Sequence, residues 1–494
     1  MRAVDERLPV PGIGERALGF WTPRRLIFPI LVILATFLIF TGRSPGLADP
    51  DYYWHLATGA LIWRDQALPT GDPFSWTFEG QPWVLHEWAF QVLLHLWHDL
   101  TGPLGVVAGT AFLLALAAYI VFATADRMIR RPLISLGLLL LFGAGIVSSG
   151  APRPHIFSLI FFAIYLAVFF EAKYGTRRWP LLAAPLIMIA WVNLHGGYAI
   201  GIVAMAAFAG LECLNLLLRF RDKAQVRLCL WLGAVAVATL AAALINPDGI
   251  KHLEYPPYVA KLDLVGAIVE WQSIMTSPWR GPWYAVGGVA FFVIALRRGW
   301  PVDATAILFP AALFIAGAVQ ARHAPFATLG MVVFAAPALW QRDAISPSVG
   351  SSFGKVVCWG IAVVALLVPL SLARSAYFKA IDAVMPSDVV TFMTKAELPA
   401  QMFNDYDIGG YLIAMMPEGY KVFIDPRADL YGDAFYRAYA DTLHGQVPLS
   451  QHFDGWEIGH VVIQHRHALK QILLTRGDFK LVFEGRSHSV LVRR

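Results

Sequence analysis

Cysteine is almost missing from this chain. Cys213, Cys229 and Cys358 are the only three in 494 residues, each falls inside an apolar stretch, and no two have the spacing of a metal or redox pair. A disulfide framework is therefore not implied. Charge is scarce too: 15% of residues are charged and 57% hydrophobic, with a mean hydropathy of +0.57, which is too apolar for a soluble chain of this length. There is no long internal repeat and no low-complexity tract. The first apolar run has no small-residue cleavage site, so the expectation is a retained span rather than a removed signal. The net charge of +5 comes from short basic clusters scattered between apolar runs, a pattern that orients helices in a membrane and gives no reason to expect nucleic acid as a partner.

What remains is a polytopic membrane protein. A span takes about 20 mostly apolar residues, and long apolar runs without strand alternation must be helical, because backbone groups in lipid need partners within their own segment. About eleven spans are expected, at 24–42, 104–124, 132–149, 156–171, 179–194, 198–218, 227–245, 283–297, 303–319, 324–340 and 355–373. One set of connections holds Arg24 and Arg25, then Arg127, Arg130 and Arg131, Lys173, Arg177 and Arg178, Arg219, Arg221, Lys223 and Arg227, Arg297 and Arg298, and Arg342. Basic loops stay in the cytoplasm, so residues 1–23 are expected inside and the C-terminus outside.

The opposite set carries the chemistry. Its first loop, 43–103, is polar and aromatic and places Asp49 and Asp51 just after the first span, at headgroup level. A carboxylate there can be a helix N-cap, or it can be a general base that takes the proton of an acceptor hydroxyl; Asp51 is the first choice. In the same loop His55, His86 and Glu87 are candidates for substrate contact. The competing reading of VLHEWAFQVLLHLWHDL is an amphipathic helix lying on the membrane. It is not a zinc-protease helix, since the position four after His86 is Phe90.

Arg153, His155, His195, Lys251, His252, Arg322 and His323 sit at the outer ends of separate spans. Arg153, His155, His195, Arg322 and His323 are the candidates for holding a phosphate, Arg153 and Arg322 foremost because a guanidinium can grip it in a bidentate fashion. Asp248, Glu254 and Glu270 could complete a metal or acceptor site. A transporter would more often carry such groups near the midplane of its spans.

After the last span, residues 375–494 change character. QMFNDY, KVFIDPR, HVVIQH and KLVFEG have strand patterns, and DIGGYLIAMM and DAFYRAYADTL have helical ones, which predicts a small α/β domain. Tyr406, Asp425 and Arg427 fall at probable strand ends, where such sheets bind ligands; tight turns with local Asx hydrogen bonds would place the same residues there.

With the run DPDYYWHLATGALI through ALPTGDPFSWTFEGQPWVLHEW in the first external loop, the chain resembles the GT-C superfamily of integral membrane glycosyltransferases, the group of aminoarabinose transferase, protein O-mannosyltransferase and oligosaccharyltransferase catalytic subunits. The resemblance implies a sugar donor on polyprenyl phosphate, a lipid, glycan or protein acceptor, inverting displacement with an external Asp as base, and a bacterial inner membrane location with the site outside. Pro50 separates the two acids where the family has an adjacent pair, so a divalent cation, Mg or Mn, stays open. The alternatives are a transporter or flippase of a lipid-linked saccharide and a non-catalytic scaffold.

Overall fold

The computed structural model describes residues 24–41, 46–219, 223–263, 266, 268–297, 303–340 and 374–494. The segment 1–23, the expected span 355–373, Cys358, Arg221, Arg298 and Arg342 lie outside them. The chain is mostly helical. Its apolar part runs through α1 (Arg24–Thr41), α2 (Pro50–Asp65), α3 (Trp88–Ile129), α4 (Pro132–Leu141), α5 (His155–Tyr174), α6 (Ala183–Leu194), α7 (Tyr198–Arg219), α8 (Lys223–Ala242), α9 (Tyr255–Val259), α10 (Arg280–Leu296), α11 (Ala304–Val319) and α12 (Ala324–Ala335).

All of these helices except α2 and α9, which lie in the external connections, fall where apolar runs predict them, but their lengths differ. Among the described residues four, α3, α5, α7 and α8, are long and apolar enough to cross a membrane. A helix as short as α4, with 10 residues, rises roughly 15 Å, about half the hydrocarbon core. A 3-10 segment at Gly143–Ser148 follows it, and Trp179–Leu182 and Ala336–Leu339 extend α6 and α12 in the same way. Helix α12 is apolar all round and every residue from Ala324 to Ala335 is buried, so it forms the centre of the bundle. Phe169 of α5 stacks on Phe208 of α7 at 4.3 Å beside it. Helix α3 is two helices in one: Gly102 adopts φ 69°, which a glycine tolerates, and Pro103 restarts the chain with no N–H to satisfy. The amphipathic first half, from Trp88, is thereby turned off the spanning second half.

The C-terminal part comprises α13 (Arg374–Val384), α14 (Ser387–Met393), β1 (Met402–Asn404), α15 (Tyr406–Met415), α16 (Ala428–Leu443), β2 (His460–Gln464), α17 (Ala468–Arg476), β3 (Phe479–Glu484) and β4 (His488–Arg493). The sheet order is β1-β2-β4-β3, with β1 parallel to β2 and the other pairs antiparallel. Two elements differ from expectation. SHSVLVRR supplies a strand, β4, that pairs on both sides. KVFIDPR does not enter the sheet; the Asn404 side chain takes the place of a neighbouring strand, its Oδ1 accepting from the Phe423 N–H at 2.8 Å and its Nδ2 donating to the Ile424 carbonyl at 2.8 Å. The other edge of that segment bonds to the first loop, Val422 N–H to Phe74 O and Trp76 N–H to Val422 O, both at 3.0 Å.

Helix α15 lies directly on α2. A Cβ on Gly410 would stand 2.5 Å from the Pro50 carbonyl oxygen and 3.3 Å from the Trp54 nitrogen, so the absent side chain is what lets the two backbones meet. Beside this seam the rings of Tyr53 and Tyr411 meet edge to face at 4.8 Å. Gly410→Ala is expected to cost about 1–3 kcal/mol through overpacking, read as a lower melting temperature in detergent. A melting curve indistinguishable from that of the unmodified chain would show that the seam is looser than drawn.

Candidate active site

Asp49 is the N-cap of α2, with Pro50 at the first helical position, and its Oδ1 accepts the Asp51 N–H at 3.0 Å. Capping and side-chain chemistry are thus combined in one residue. Arg153, just before α5, places Nε 2.8 Å from both Asp49 oxygens and Nη1 2.9 Å from Asp51 Oδ2 and 3.3 Å from Glu270 Oε2. Trp54 Nε1 donates to Asp51 Oδ1 at 3.2 Å. Burial pushes Asp51 up to about 7; Arg153 opposes this, and the charges of Asp49 and Glu270 reinforce it. Burial works against the charge on Arg153, yet the same carboxylates hold it well above the usual arginine range.

Next to this group, Glu87 collects three imidazoles. Its Oε1 is 3.5 Å from His86 Nε2 and 3.6 Å from His195 Nε2, and its Oε2 is 3.6 Å from His55 Nε2. The neighbouring donors and acceptors assign the ring protons. His195 Nδ1 accepts the Gly197 N–H at 3.2 Å and is 2.6 Å from Ser158 Oγ, so its proton is on Nε2, facing Glu87. His55 Nδ1 faces the Gln91 amide at 3.4 Å, with the same result. His86 Nδ1 lies 3.2 Å from the Val84 carbonyl, which can only accept, so this nitrogen carries a proton. The electrostatics agree: burial pulls His55 and His195 each down to about 3. Burial also opposes the charge on His86, but Glu87 outweighs it and raises the ring. Burial would raise Glu87, and the imidazoles, His86 first, hold it below the carboxylate range.

Arg322, between α11 and α12, lies over the Trp271 ring at 3.9 Å. Among the described residues no carboxylate is within ion-pair distance of it. Burial lowers it, and Glu270, Tyr255 and Glu87 counteract that. His155 Nε2 is 3.3 Å from the Ser149 carbonyl, and His323 Nε2 is 3.1 Å from Gln320 Oε1, so these two are occupied locally. Of the long 246–273 connection, Glu270 joins the site, Asp248 is 3.8 Å from His252, and Tyr255, unmarked in the sequence reading, stacks on His86 at 3.9 Å.

From the C-terminal part, Tyr406 stands close enough to Asp51 for that charge to add to the burial that raises its phenol, whose hydroxyl donates to the Pro426 carbonyl at 3.0 Å. Asp429 faces His86; burial raises it and His86 lowers it. Asp425 and Arg427, expected to contact substrate, have another task. Arg427 grips Asp425 through Nε at 2.7 Å and Nη2 at 2.6 Å, and Asp72 of the first loop through Nη1 at 2.7 Å, with the Tyr431 hydroxyl donating to Asp425 at 2.7 Å. All three charged side chains are 0% exposed, which leaves no face for a ligand. The network joins the first loop to the C-terminal domain.

A divalent ion does not fit these donors. Asp49, Asp51 and Glu270 converge on a guanidinium rather than on a vacant point, and among the described residues no three His, Cys, Asp or Glu side chains are arranged to hold a metal.

The fold has known counterparts. The crystal structure of ArnT from Cupriavidus metallidurans in the apo state superposes with a TM-score of 0.55 at 13% identity over 94% of this chain and 97% of that one. The same protein bound to undecaprenyl phosphate gives 0.51 at 11% identity, over 95% and 98%. An Archaeoglobus fulgidus oligosaccharyltransferase complex with Zn and sulfate gives 0.50 at 12%, over 88% of this chain and 68% of that one. No family model matches the sequence, and no curated protein matches it.

Proposed function

We propose that this chain, which has the fold of the GT-C integral-membrane glycosyltransferases, transfers a sugar from a polyprenyl-phosphate donor to an acceptor outside the cytoplasm, with inversion at the anomeric carbon. The carrying observation is the setting of Asp51 in the first loop, its carboxylate 2.9 Å from Arg153 Nη1 and accepting from Trp54 Nε1 at 3.2 Å, with burial raising its proton affinity. The acceptor oxygen attacks the anomeric carbon from the face opposite the phosphate and its proton passes to Asp51. The sugar–phosphate bond breaks with its electron pair going to the phosphate oxygen. Arg322, unmatched by a carboxylate, holds that phosphate. Arg153, first expected to do so, is engaged by three acids and instead sets the position and proton affinity of Asp51.

The distribution of basic residues over the helix ends supports an external site. Arg127, Arg130 and Arg131 at the end of α3, Lys173 at the end of α5, Lys223 at the start of α8 and Arg297 after α10 are at ends opposite to Arg153, His195 and Arg322. With basic ends on the inside as the rule has them, this arrangement supports the reading of a site on the outer face of a bacterial inner membrane.

The test is proteoliposomes loaded with undecaprenyl phosphate, and then with undecaprenyl-phosphate sugars extracted from the host membrane. The intact protein is expected to bind the former and transfer from the latter, and Arg322→Gln to bind about tenfold more weakly, as for loss of one charged hydrogen-bonding partner. Equal binding by both proteins together with no transfer would refute the proposal.

A further inference from the structure

A second cluster of titratable groups lies behind Tyr406, at the carboxyl ends of β1 and β2. Asp405 is the N-cap residue of α15, yet its side chain does not cap that helix; its Oδ2 accepts the Gln464 N–H at 2.7 Å and ties the end of β1 to the end of β2. Two imidazoles flank the carboxyl, His467 Nε2 at 3.7 Å from Oδ1 and His488 Nε2 at 3.6 Å from Oδ2. Both separations exceed a hydrogen bond, and Asp405 Oδ1 and His488 Nε2, each buried, have no hydrogen-bond partner among the described residues. The other charged and titratable groups facing the cluster are Asp407 on α15, His465 and Arg466 after β2, Tyr439 on α16 with His444 just after it, and Asp388 on α14.

This geometry suits a neutral carboxyl better than a carboxylate. Burial pushes Asp405 up to about 7, with the charge of Asp407 adding to it and the Gln464 N–H and Arg466 opposing, while burial pulls His467 and His488 down to about 4 each. Near neutral pH the rings are therefore uncharged, and Asp405 is the group that titrates. A buried carboxylate short of donors is costly, and it offsets that cost by closing on the imidazole N–H groups, a movement of about 0.7 Å to reach ordinary hydrogen-bond length. His488 is held in place, since it lies opposite Gln464 in β4, which pairs on both sides. Asp405 follows β1, an edge strand of three residues, so the carboxylate side is the one that yields.

Tyr406 comes directly after Asp405 and is fixed at two points beside Asp51, its N–H donating to the Tyr439 hydroxyl at 2.7 Å and its phenol to the Pro426 carbonyl at 3.0 Å. We infer, on the basis of the transfer reaction proposed above, that Asp405 is a positioning residue for it: as a neutral acid it keeps Tyr406 against Asp51, and on ionisation it moves toward His467 and His488 and draws Tyr406 off the site. Transfer then needs Asp51 without its proton and Asp405 with one. The pH profile accordingly has an alkaline fall besides the acidic one.

The experiment follows transfer against pH in proteoliposomes, with undecaprenyl-phosphate sugars extracted from the host membrane as donor and an extract of the host envelope as acceptor. For the unmodified chain, transfer is expected to peak near neutral pH and to be about tenfold lower two units above the peak. Asp405→Asn still accepts the Gln464 N–H but cannot ionise, so it should hold its activity across that range. His467→Phe removes one donor to the carboxylate and should move the alkaline fall to higher pH. Melting in detergent reads the same group without the reaction. The folded chain holds the Asp405 proton more tightly than the unfolded chain, so the stability it contributes is lost as pH rises from about 4 to about 7, and Asp405→Asn should gain in melting temperature on the unmodified chain between pH 5 and pH 8. A plateau above neutral pH in the unmodified chain, an alkaline fall unchanged in Asp405→Asn, or melting temperatures that keep a constant separation would overturn the inference and leave the transfer proposal standing. If Asp405→Asn does not fold, an alkaline fall unmoved in His467→Phe overturns it equally. Transfer at no pH would refute the transfer proposal, and with it the role given to Asp405.

Discussion

Asp51→Asn is expected to leave α2 folded and to lower sugar transfer by about 10²–10⁴-fold, the usual contribution of a positioned base. Asparagine keeps the shape and can still accept from Trp54 Nε1, but it cannot take a proton. The pH profile makes the assignment specific. A base works only when deprotonated, and burial puts Asp51 at about 7, so transfer should fall roughly tenfold for each pH unit below that point. A carboxylate at its ordinary value would stay active to much lower pH. Asp49→Asn separates the two acids. Asparagine still caps α2, and removing the Asp49 charge takes away one of the effects that raise Asp51. The acidic limb should therefore move to lower pH, with a far smaller loss at neutral pH. A flat profile for the unmodified chain, or equal losses from both substitutions, would remove Asp51 from its role. The exposures point the same way, 21% for the Asp51 side chain and 13% for Asp49.

Arg427→Met is expected to be the most destabilising single change, at about 3–5 kcal/mol, because it strands Asp425 and Asp72 as unpaired charges in a fully buried place. The loss should appear as a large drop in melting temperature in detergent and as protease sensitivity in both the first loop and the C-terminal domain. Combining it with Asp425→Asn and Asp72→Asn should recover much of the stability, since no orphaned charge then remains. If Arg427→Met melts normally yet abolishes transfer, the residue is functional and the structural account is wrong.

How much of this could be read from residues alone depends on the range of each interaction. Helix positions are local: apolar runs located the bundle within a few residues, and the break at Gly102-Pro103 is visible as a dipeptide. Span number is less local, since α4 and α12 stop short and finish as 3-10 turns and α6 begins as one. Asp49 and Asp51 stood out because they follow directly on a span. Their partner, 104 residues away, could be named only as one of several cations on the same side, and nothing in the order of residues shows that Arg153 is engaged while Arg322 is not. Tyr255 and Trp271 carry no spacing signal at all. Asp425 and Arg427 looked like a ligand pair for the same reason: an acid and an arginine near a turn look alike whether they face water or each other. KVFIDPR has the β-rich composition of a strand, and only the side chain of Asn404 reveals that its place in the sheet is taken.

The hydrogen bond from Thr77 to the Phe423 carbonyl joins residues 346 positions apart, and the Asp72–Arg427 pair is of similar reach. During synthesis the ribosome adds about 5–20 residues per second, so the first loop is extruded on the order of tens of seconds before the partners that complete it exist. Insertion of the helices and completion of the first loop are thus separate events in the life of this polypeptide. A chain released early, however well its helices are seated, lacks the partners of Asp72 and Thr77 that hold the first loop in place.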